Sequence, residues 1–206
     1  MAKKYRVGVI GFSHMHINSL MAEFAKIPGV EWVACADTVP QRPSLTLKES
    51  TRGANLKRAR EVIGIPRVYD DYREMLKRDR YDIVIFCPEN ARHGEVAEAI
   101  AAAGAHMVTE KPMSASLGEA LRVLRAARDA GVKLMVNWPT TWSPAVRAMK
   151  TLIDEGTIGA LWEVKWRNGP SMGPLSYGTG PDLVTDAEKA AEWWHHAAAG
   201  GGALLD

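Results

Sequence analysis

Three short stretches of the sequence hold residues able to do chemistry together. The first is Gly11-Phe12-Ser13-His14-Met15-His16, which follows the apolar run 5–10 and precedes a helix-spaced segment. A glycine closing a strand permits a tight turn, and the helix start behind it offers N–H groups to a phosphate. A dinucleotide fingerprint would place glycines at Gly11, Ser13 and His16, and only Gly11 is kept. The loop therefore reads either as a pyrophosphate turn, with Ser13 as donor or helix cap, or as an ordinary strand–helix turn. Asp37 closes the next apolar run, about 20 residues on, where a carboxylate can accept both ribose hydroxyls and repel a 2′-phosphate. That leans toward NAD, while Arg42 keeps NADP open; the plainer reading of Asp37 is an aspartate that starts a turn.

The second stretch is Cys87-Pro88-Glu89-Asn90-Ala91-Arg92-His93 and the third is Thr109-Glu110-Lys111-Pro112, each behind a further apolar run. A lysine at the carboxyl end of a sheet strand is poised over a bound cofactor and suits proton transfer. The alternative is a surface lysine before a helix. His14, His16 and His93 do not make a metal site on this reading. His14 and His16 leave a helix start in diverging directions, and no cysteine or carboxylate completes a ligand set at a recognisable spacing. The expectation is polar contact with a cofactor, or a histidine stacked in the core.

These loops need elements to hold them. Residues 5–10, 30–36, 81–87, 105–108 and 132–137 read as buried strands, with a brief further one at 68–69. Between them Ile17, Leu20, Met21 and Phe24 fall at helix spacing. Leu117, Leu121 and Leu124 line one face behind a capping-box pattern, Ser116 to Glu119, and 95–103 is an alanine-rich helix. Alternating strands and helices predict an α/β fold, a doubly wound parallel sheet of the dinucleotide-binding type. Its switch point lies between the first and fourth strands, so the His14/His16 and Asn90/His93 loops should face one crevice. The stretch 40–61 is long for a connection and carries Lys48, Arg52, Lys57, Arg58 and Arg60. Its second half predicts a helix near 54–63, and its charge reads as a solvated basic face or, more sharply, as a phosphate or partner patch.

From Trp138 onward the composition shifts: Trp138, Trp142, Trp162, Trp166, Trp193 and Trp194 are six of the seven tryptophans. The segment 143–155 predicts a helix capped by Ser143 with Pro144 at its first position. The alternation in 160–167 predicts a strand with one buried face, and 168–182 predicts a loop. The expectation is a dinucleotide domain over 1–138, followed over 139–206 by the beginning of a second, open-sheet α/β domain. The 206 residues suffice for one domain and part of another, with 47% hydrophobic and 24% charged residues. A net charge of +2 is too weak a bias to argue for nucleic acid or a membrane surface, so no nucleic acid or membrane is expected as a partner. No apolar stretch reaches the roughly 18 residues of a membrane span, no signal peptide is apparent, and two cysteines, Cys35 and Cys87, form no disulfide framework. A cytoplasmic protein is the expectation.

Taken in order, these residues resemble the Gfo/Idh/MocA oxidoreductases, whose name comes from glucose–fructose oxidoreductase, inositol dehydrogenase and a rhizopine-catabolism protein. The resemblance runs over essentially the whole chain. It rests on Val7-Gly8-Val9-Ile10-Gly11, Ala36-Asp37, Pro88-Glu89-Asn90 with His93, and Ala102-Ala103-Gly104-Ala105-His106. It continues through Glu110-Lys111-Pro112-Met113, Ser143-Pro144-Ala145-Val146, Ile153-Asp154-Glu155-Gly156-Thr157-Ile158-Gly159 and the closing Gly200-Gly201-Gly202-Ala203-Leu204-Leu205-Asp206.

The resemblance implies NAD(P)-dependent hydride transfer to or from a secondary alcohol of a sugar, inositol or related polyol. Gly11, Ser13, His14, Met15 and His16 would lie along or beside the cofactor, with Asp37 on the adenosine ribose. Pro88, Asn90, His93, Glu110 and Lys111 would surround the nicotinamide. Lys111 would hydrogen-bond the reacting hydroxyl, and Asp206 matches the aspartate of the family's catalytic set. The partner histidine of that set would fall four positions later, past the last residue, so the chain reads as C-terminally truncated and its full-length form as a homo-oligomer. Two other readings stay open on the same fold: a non-catalytic NAD(P)-binding regulatory module, and a redox-neutral user of NAD such as a glycosidase.

Overall fold

Tyr5–Ile10 (β1), Val30–Ala36 (β2), Val68–Tyr69 (β3), Ile83–Phe86 (β4), His106–Glu110 (β5) and Leu134–Asn137 (β6) are short, and most are apolar on both faces. That pattern suits strands covered by helices above and below. They form one parallel sheet in the order β3-β2-β1-β4-β5-β6 in a computed structural model that describes residues 3–39, 45, 51–165, 185, 187–188 and 193–201. The six strands expected for the dinucleotide-type sheet are all present, and the chain has the doubly wound α/β fold.

The two faces of the sheet take different helices. Val7, Val9, Cys35, Ile85 and Cys87 point to the side covered by α1 (Ile17–Ala25) and α2 (Arg52–Glu61). Ile10, Ala34, Ala36, Val84 and Phe86 point to the side covered by α3 (Tyr72–Arg78), α4 (His93–Ala102) and α5 (Leu117–Asp129). Each wholly buried large side chain, such as Phe86 or Ile10, stabilises the sheet by about 1.5–3 kcal/mol. Gly8 is required where it stands: a Cβ there would lie 2.7 Å from the Tyr81 ring, which packs directly on the strand backbone.

Local capping places the helix starts. Thr51, Asp71, Ser116 and Ser143 each accept a backbone N–H of the first turn, from Ala54, Arg73, Glu119 and Val146 respectively. The cap at Thr51 starts α2 at Arg52, ahead of the expected 54, and turns Arg52, Asn55 and Ala59 inward. The expectation of a wholly solvated basic face over 40–61 therefore fails at Arg52, which is only 7% exposed.

Beyond the sheet, α6 (Pro144–Asp154) follows its Ser143 cap and first-position proline as expected. The strand expected over 160–167 does not form where the chain is described: 160–165 is irregular, with Trp162 exposed, and 166–167 lies outside the described residues. A strand needs a neighbour to take its N–H and C=O groups, and no described strand runs beside this one. The Leu117, Leu121 and Leu124 stripe of α5 does line one face, but the outer one; Val123 and Ala127 face the sheet instead.

Candidate functional site

Register brings the chemical residues level. Ile10 pairs with Ala36 on one side and Phe86 on the other, Phe86 pairs with Thr109, and Glu110 pairs with Asn137. Gly11, Asp37, Cys87, Glu110 and Asn137 therefore lie along the carboxyl edge of the sheet, where open α/β sheets bind ligands. Gly11 turns the chain there with φ +83°, and a Cβ on it would sit 2.4 Å from the Pro88 nitrogen. The two loops at the switch point touch through that glycine.

On the β2 side Asp37 organises the first loop. Its Oδ1 accepts the amides of Phe12 (3.1 Å) and Thr38 (2.8 Å) and the Arg52 guanidinium (2.8 Å). Burial lifts the Asp37 carboxyl above its usual range, and Arg52 and the Thr38 amide pull it back only in part. Arg52 also donates to the Thr38 carbonyl at 2.8 Å, to Glu89 and to the Ser13 hydroxyl. Asn55, one turn along α2 and fully buried, donates to the Phe12 carbonyl at 2.9 Å and accepts from Asn18 at 2.7 Å. Neither Arg52, Glu89 nor Asn55 was singled out from sequence for this edge. The signal available was the Thr51 cap, which fixes the phase of α2 and hence its inward face.

On the β5 side Glu110 is buried and fully engaged. Its Oε2 lies 3.2 Å from both His16 Nδ1 and the Lys111 amide, and its Oε1 accepts from Asn137. Burial pushes its carboxyl up, but the hydrogen bonds from His16 and Asn137 outweigh that and hold it below the usual range. His16, at the place of the missing third glycine, thus ties the start of α1 to the end of β5. Lys111 is 8% exposed beside it. Asn137 came to this network unforeseen, through its register with Glu110.

His93 lies deeper. It is 1% exposed, its Nδ1 donates to the Met113 carbonyl at 2.9 Å, and its ring meets Phe86 edge-on at 5.5 Å. Burial pushes its pKa down to about 4 against the pull of the Met113 and Pro88 carbonyls. Asn90 is also buried and donates to the Gly200 carbonyl at 2.8 Å. Trp193 donates to the Ser13 carbonyl at 2.7 Å, and its ring stands 6.1 Å from that of His14, which packs on His16 at 4.4 Å. The segment 193–201 therefore rests on the first loop and on Asn90. Asp206 lies outside the described residues. Cys35 and Cys87 are free and buried, and burial raises the Cys35 thiol to about 12, so neither is poised as a nucleophile. Among the described residues no three His, Cys, Asp or Glu side chains gather as a metal site.

The open donors and acceptors of this edge are few. With Oδ1 of Asp37 saturated, no described donor reaches Oδ2, and the side chain keeps 17% of its surface open. In the first loop the amides of Phe12, Ser13 and His16 are taken, by Asp37, the Cys87 carbonyl (3.0 Å) and His14 Nδ1 (3.1 Å). The Met15 amide has no bond among the described residues and stands at the turn into α1. One carboxylate oxygen for a ribose and one helix-start amide for a phosphate fit a dinucleotide.

A doubly wound sheet with an acid closing β2 and a lysine just past β5, on either side of the switch point, is the arrangement of a dinucleotide-binding fold. Comparison with known proteins makes this specific. Residues 5–138 match the Gfo/Idh/MocA family, described as an oxidoreductase family with an NAD-binding Rossmann fold, and the chain belongs to it. The chain is 30% identical to D-apiose dehydrogenase of Paraburkholderia graminis over 76% of its length and 38% of that enzyme's. It is 26% identical to myo-inositol 2-dehydrogenase of Thermotoga maritima over 84% of its length and 48% of that enzyme's. An NAD-binding oxidoreductase from Klebsiella pneumoniae shares its structure with TM-score 0.58 and 29% identity, over 77% of this chain and 40% of that one. The scyllo-inositol dehydrogenase of Lactobacillus casei, solved with NAD(H) and scyllo-inositol, shares the fold at TM-score 0.61 and 22% identity, over 76% of this chain and 43% of that one. The chain spans under half the length of these curated relatives. No described helix is long and apolar enough to cross a membrane.

Proposed function

We propose that this chain is the cofactor-binding part of an NAD-dependent dehydrogenase acting on a secondary alcohol of a sugar, inositol or related polyol. The observation that carries the reading is the placement of Asp37, with its open Oδ2, and Lys111 on the same carboxyl edge of the sheet, on either side of the switch point. The names of the relatives support the substrate class: they include dehydrogenases of apiose, inositol, levoglucosan and xylose. Bound there, the nicotinamide supplies a carbon that accepts or returns hydride.

The chain's own residues do the rest. Asp37 Oδ2 holds the adenosine ribose, and the loop Gly11, Ser13, His14, Met15 runs along the pyrophosphate with the Met15 amide as its donor. Ser13 shapes this loop rather than donating to the phosphate, since its hydroxyl is held by Arg52 and its amide by the Cys87 carbonyl. Pro88 and Asn90 form the far wall, and His93 braces that wall from beneath. Lys111 points its ammonium at the substrate hydroxyl and helps the proton leave as the alcohol is oxidised. Glu110, kept ionised by His16 and Asn137, fixes the backbone from which Lys111 projects. Asp206 would supply the aspartate of the catalytic set that the family resemblance implies, and residues 139–206 would begin a part that bounds the substrate and joins copies of a homo-oligomer. Buried reduced thiols at Cys35 and Cys87 suit a cytoplasmic setting.

The test is a screen of the whole protein over sugars, inositols and their acids, following NADH formation, with the variant Lys111→Ala on the best substrate. Turnover should fall by roughly 10²–10⁴-fold while NAD affinity changes little. Unchanged turnover in that variant sinks the role of Lys111, and a redox-neutral product with no net NADH sinks the dehydrogenase reading.

A further inference from the structure

Asp37 does not stand alone at the ribose end of the crevice. Arg52 reaches it from the start of α2, and a second carboxylate, Glu89 of the loop after β4, holds the other side of the same guanidinium. Nη1 of Arg52 is shared by Asp37 Oδ1 (2.8 Å), the Thr38 carbonyl (2.8 Å) and the Thr38 hydroxyl (3.2 Å). Nη2 is shared by Glu89 Oε1 and the Ser13 hydroxyl. Glu89 is seated in turn by Thr38, whose hydroxyl donates to Oε2 at 3.2 Å. The side chains of Arg52 and Glu89 are 9% and 6% exposed, so water screens the cluster little. Two carboxylates and one guanidinium leave one negative charge.

We infer that Glu89, acting through Arg52, sets which dinucleotide the crevice accepts, admitting a free ribose 2′-hydroxyl and excluding a 2′-phosphate. The inference rests on the dinucleotide reading above and deepens it. A 2′-phosphate is recognised by a guanidinium fork with donors to spare. Here the only described guanidinium bonded to Asp37 has both ends of its fork committed, one to each acid. A ribose diol needs only an acceptor, and Asp37 Oδ2 is that acceptor. Glu89 touches no part of the ribose on this account: it is a positioning residue, and its charge also tips the cluster from neutral to negative. An aspartate at the end of β2 disfavours NADP by itself. What Glu89 adds is to deny Arg52 to the phosphate.

The test is calorimetric titration of the whole protein with NAD and with NADP, for the wild type, Glu89→Gln and Glu89→Asp. The wild type should bind NAD more tightly. Glu89→Gln should shrink the NAD-over-NADP preference about tenfold or more, mainly through tighter NADP, and Glu89→Asp, which keeps the charge, should restore most of it. Equal weakening of both dinucleotides in Glu89→Gln would mark a merely structural role and overturn the inference. A wild type that prefers NADP would overturn it while leaving the dinucleotide reading intact, and a wild type that binds neither would remove both. Should Glu89→Gln fail to fold, Thr38→Val removes the hydroxyl that seats Glu89 and also accepts from Arg52. It should move the preference the same way by a few-fold, and an unchanged ratio there counts against the inference.

Discussion

His93 offers a test of where the crevice ends and the core begins. Unfolded, a histidine titrates at 6.5, whereas His93 in the folded chain is pushed down to about 4 by burial. A folded pKa below the unfolded one means that the unfolded chain binds the extra proton. The stability tied to neutral His93 is therefore complete above pH 6.5 and is lost as pH falls toward 4. Integrated from pH 7.5 to 5, the loss is about 2 kcal/mol, and by pH 3 it approaches about 3 kcal/mol. The comparison variant is His93→Asn, whose amide can still donate to the Met113 carbonyl now served by Nδ1. Urea unfolding followed by circular dichroism, at pH 7.5 and at pH 5, gives the two stabilities of each chain. The variant is less stable at pH 7.5 because the Phe86 ring loses its edge-on partner. The decisive quantity is the difference in slope: the wild type should lose about 2 kcal/mol more than the variant on going to pH 5. Equal losses would show that His93 protonates freely in the folded chain and so faces solvent, contrary to its packing.

Two further substitutions probe the scaffold of the first loop. Gly11→Ala places a Cβ 2.4 Å from the Pro88 nitrogen at φ +83° and should cost roughly 2–4 kcal/mol. A melting point within about 2 °C of wild type would contradict the close approach of the two loops. Asn55→Ala leaves the Phe12 carbonyl without its side-chain donor and should cost about 1–3 kcal/mol in urea unfolding. A neutral effect there would mean that α2 does not anchor the loop.

The sheet was legible because short Val- and Ile-rich runs between helix-spaced segments have few other solutions, and β1 to β6 fell where those runs lie. The positions of Asp37 and Lys111 were legible for the same reason: each follows a strand, and strand ends of a parallel sheet share an edge. The Arg52–Glu89 contact was not, since it joins residues 37 apart through the phase of a helix whose start depends on one cap at Thr51. Arg52 looked like one of several cations in a basic run, and only burial separates it from Lys57 or Arg58. The role of His16 was hidden likewise. Its type broke the glycine pattern, and its partner Glu110 is 94 residues away. The alternation in 160–165 was real but unexpressed, because a strand is a property of two chains and no second one is described beside it.

The central claim is that the carboxyl edge of this sheet binds NAD through Asp37, and direct titration tests it. Calorimetry of the whole protein with NAD should give saturable binding at one site per chain, weakened at least about tenfold in Asp37→Ala through loss of the ribose acceptor. No heat of binding up to millimolar NAD, or an unchanged affinity in Asp37→Ala, would contradict it.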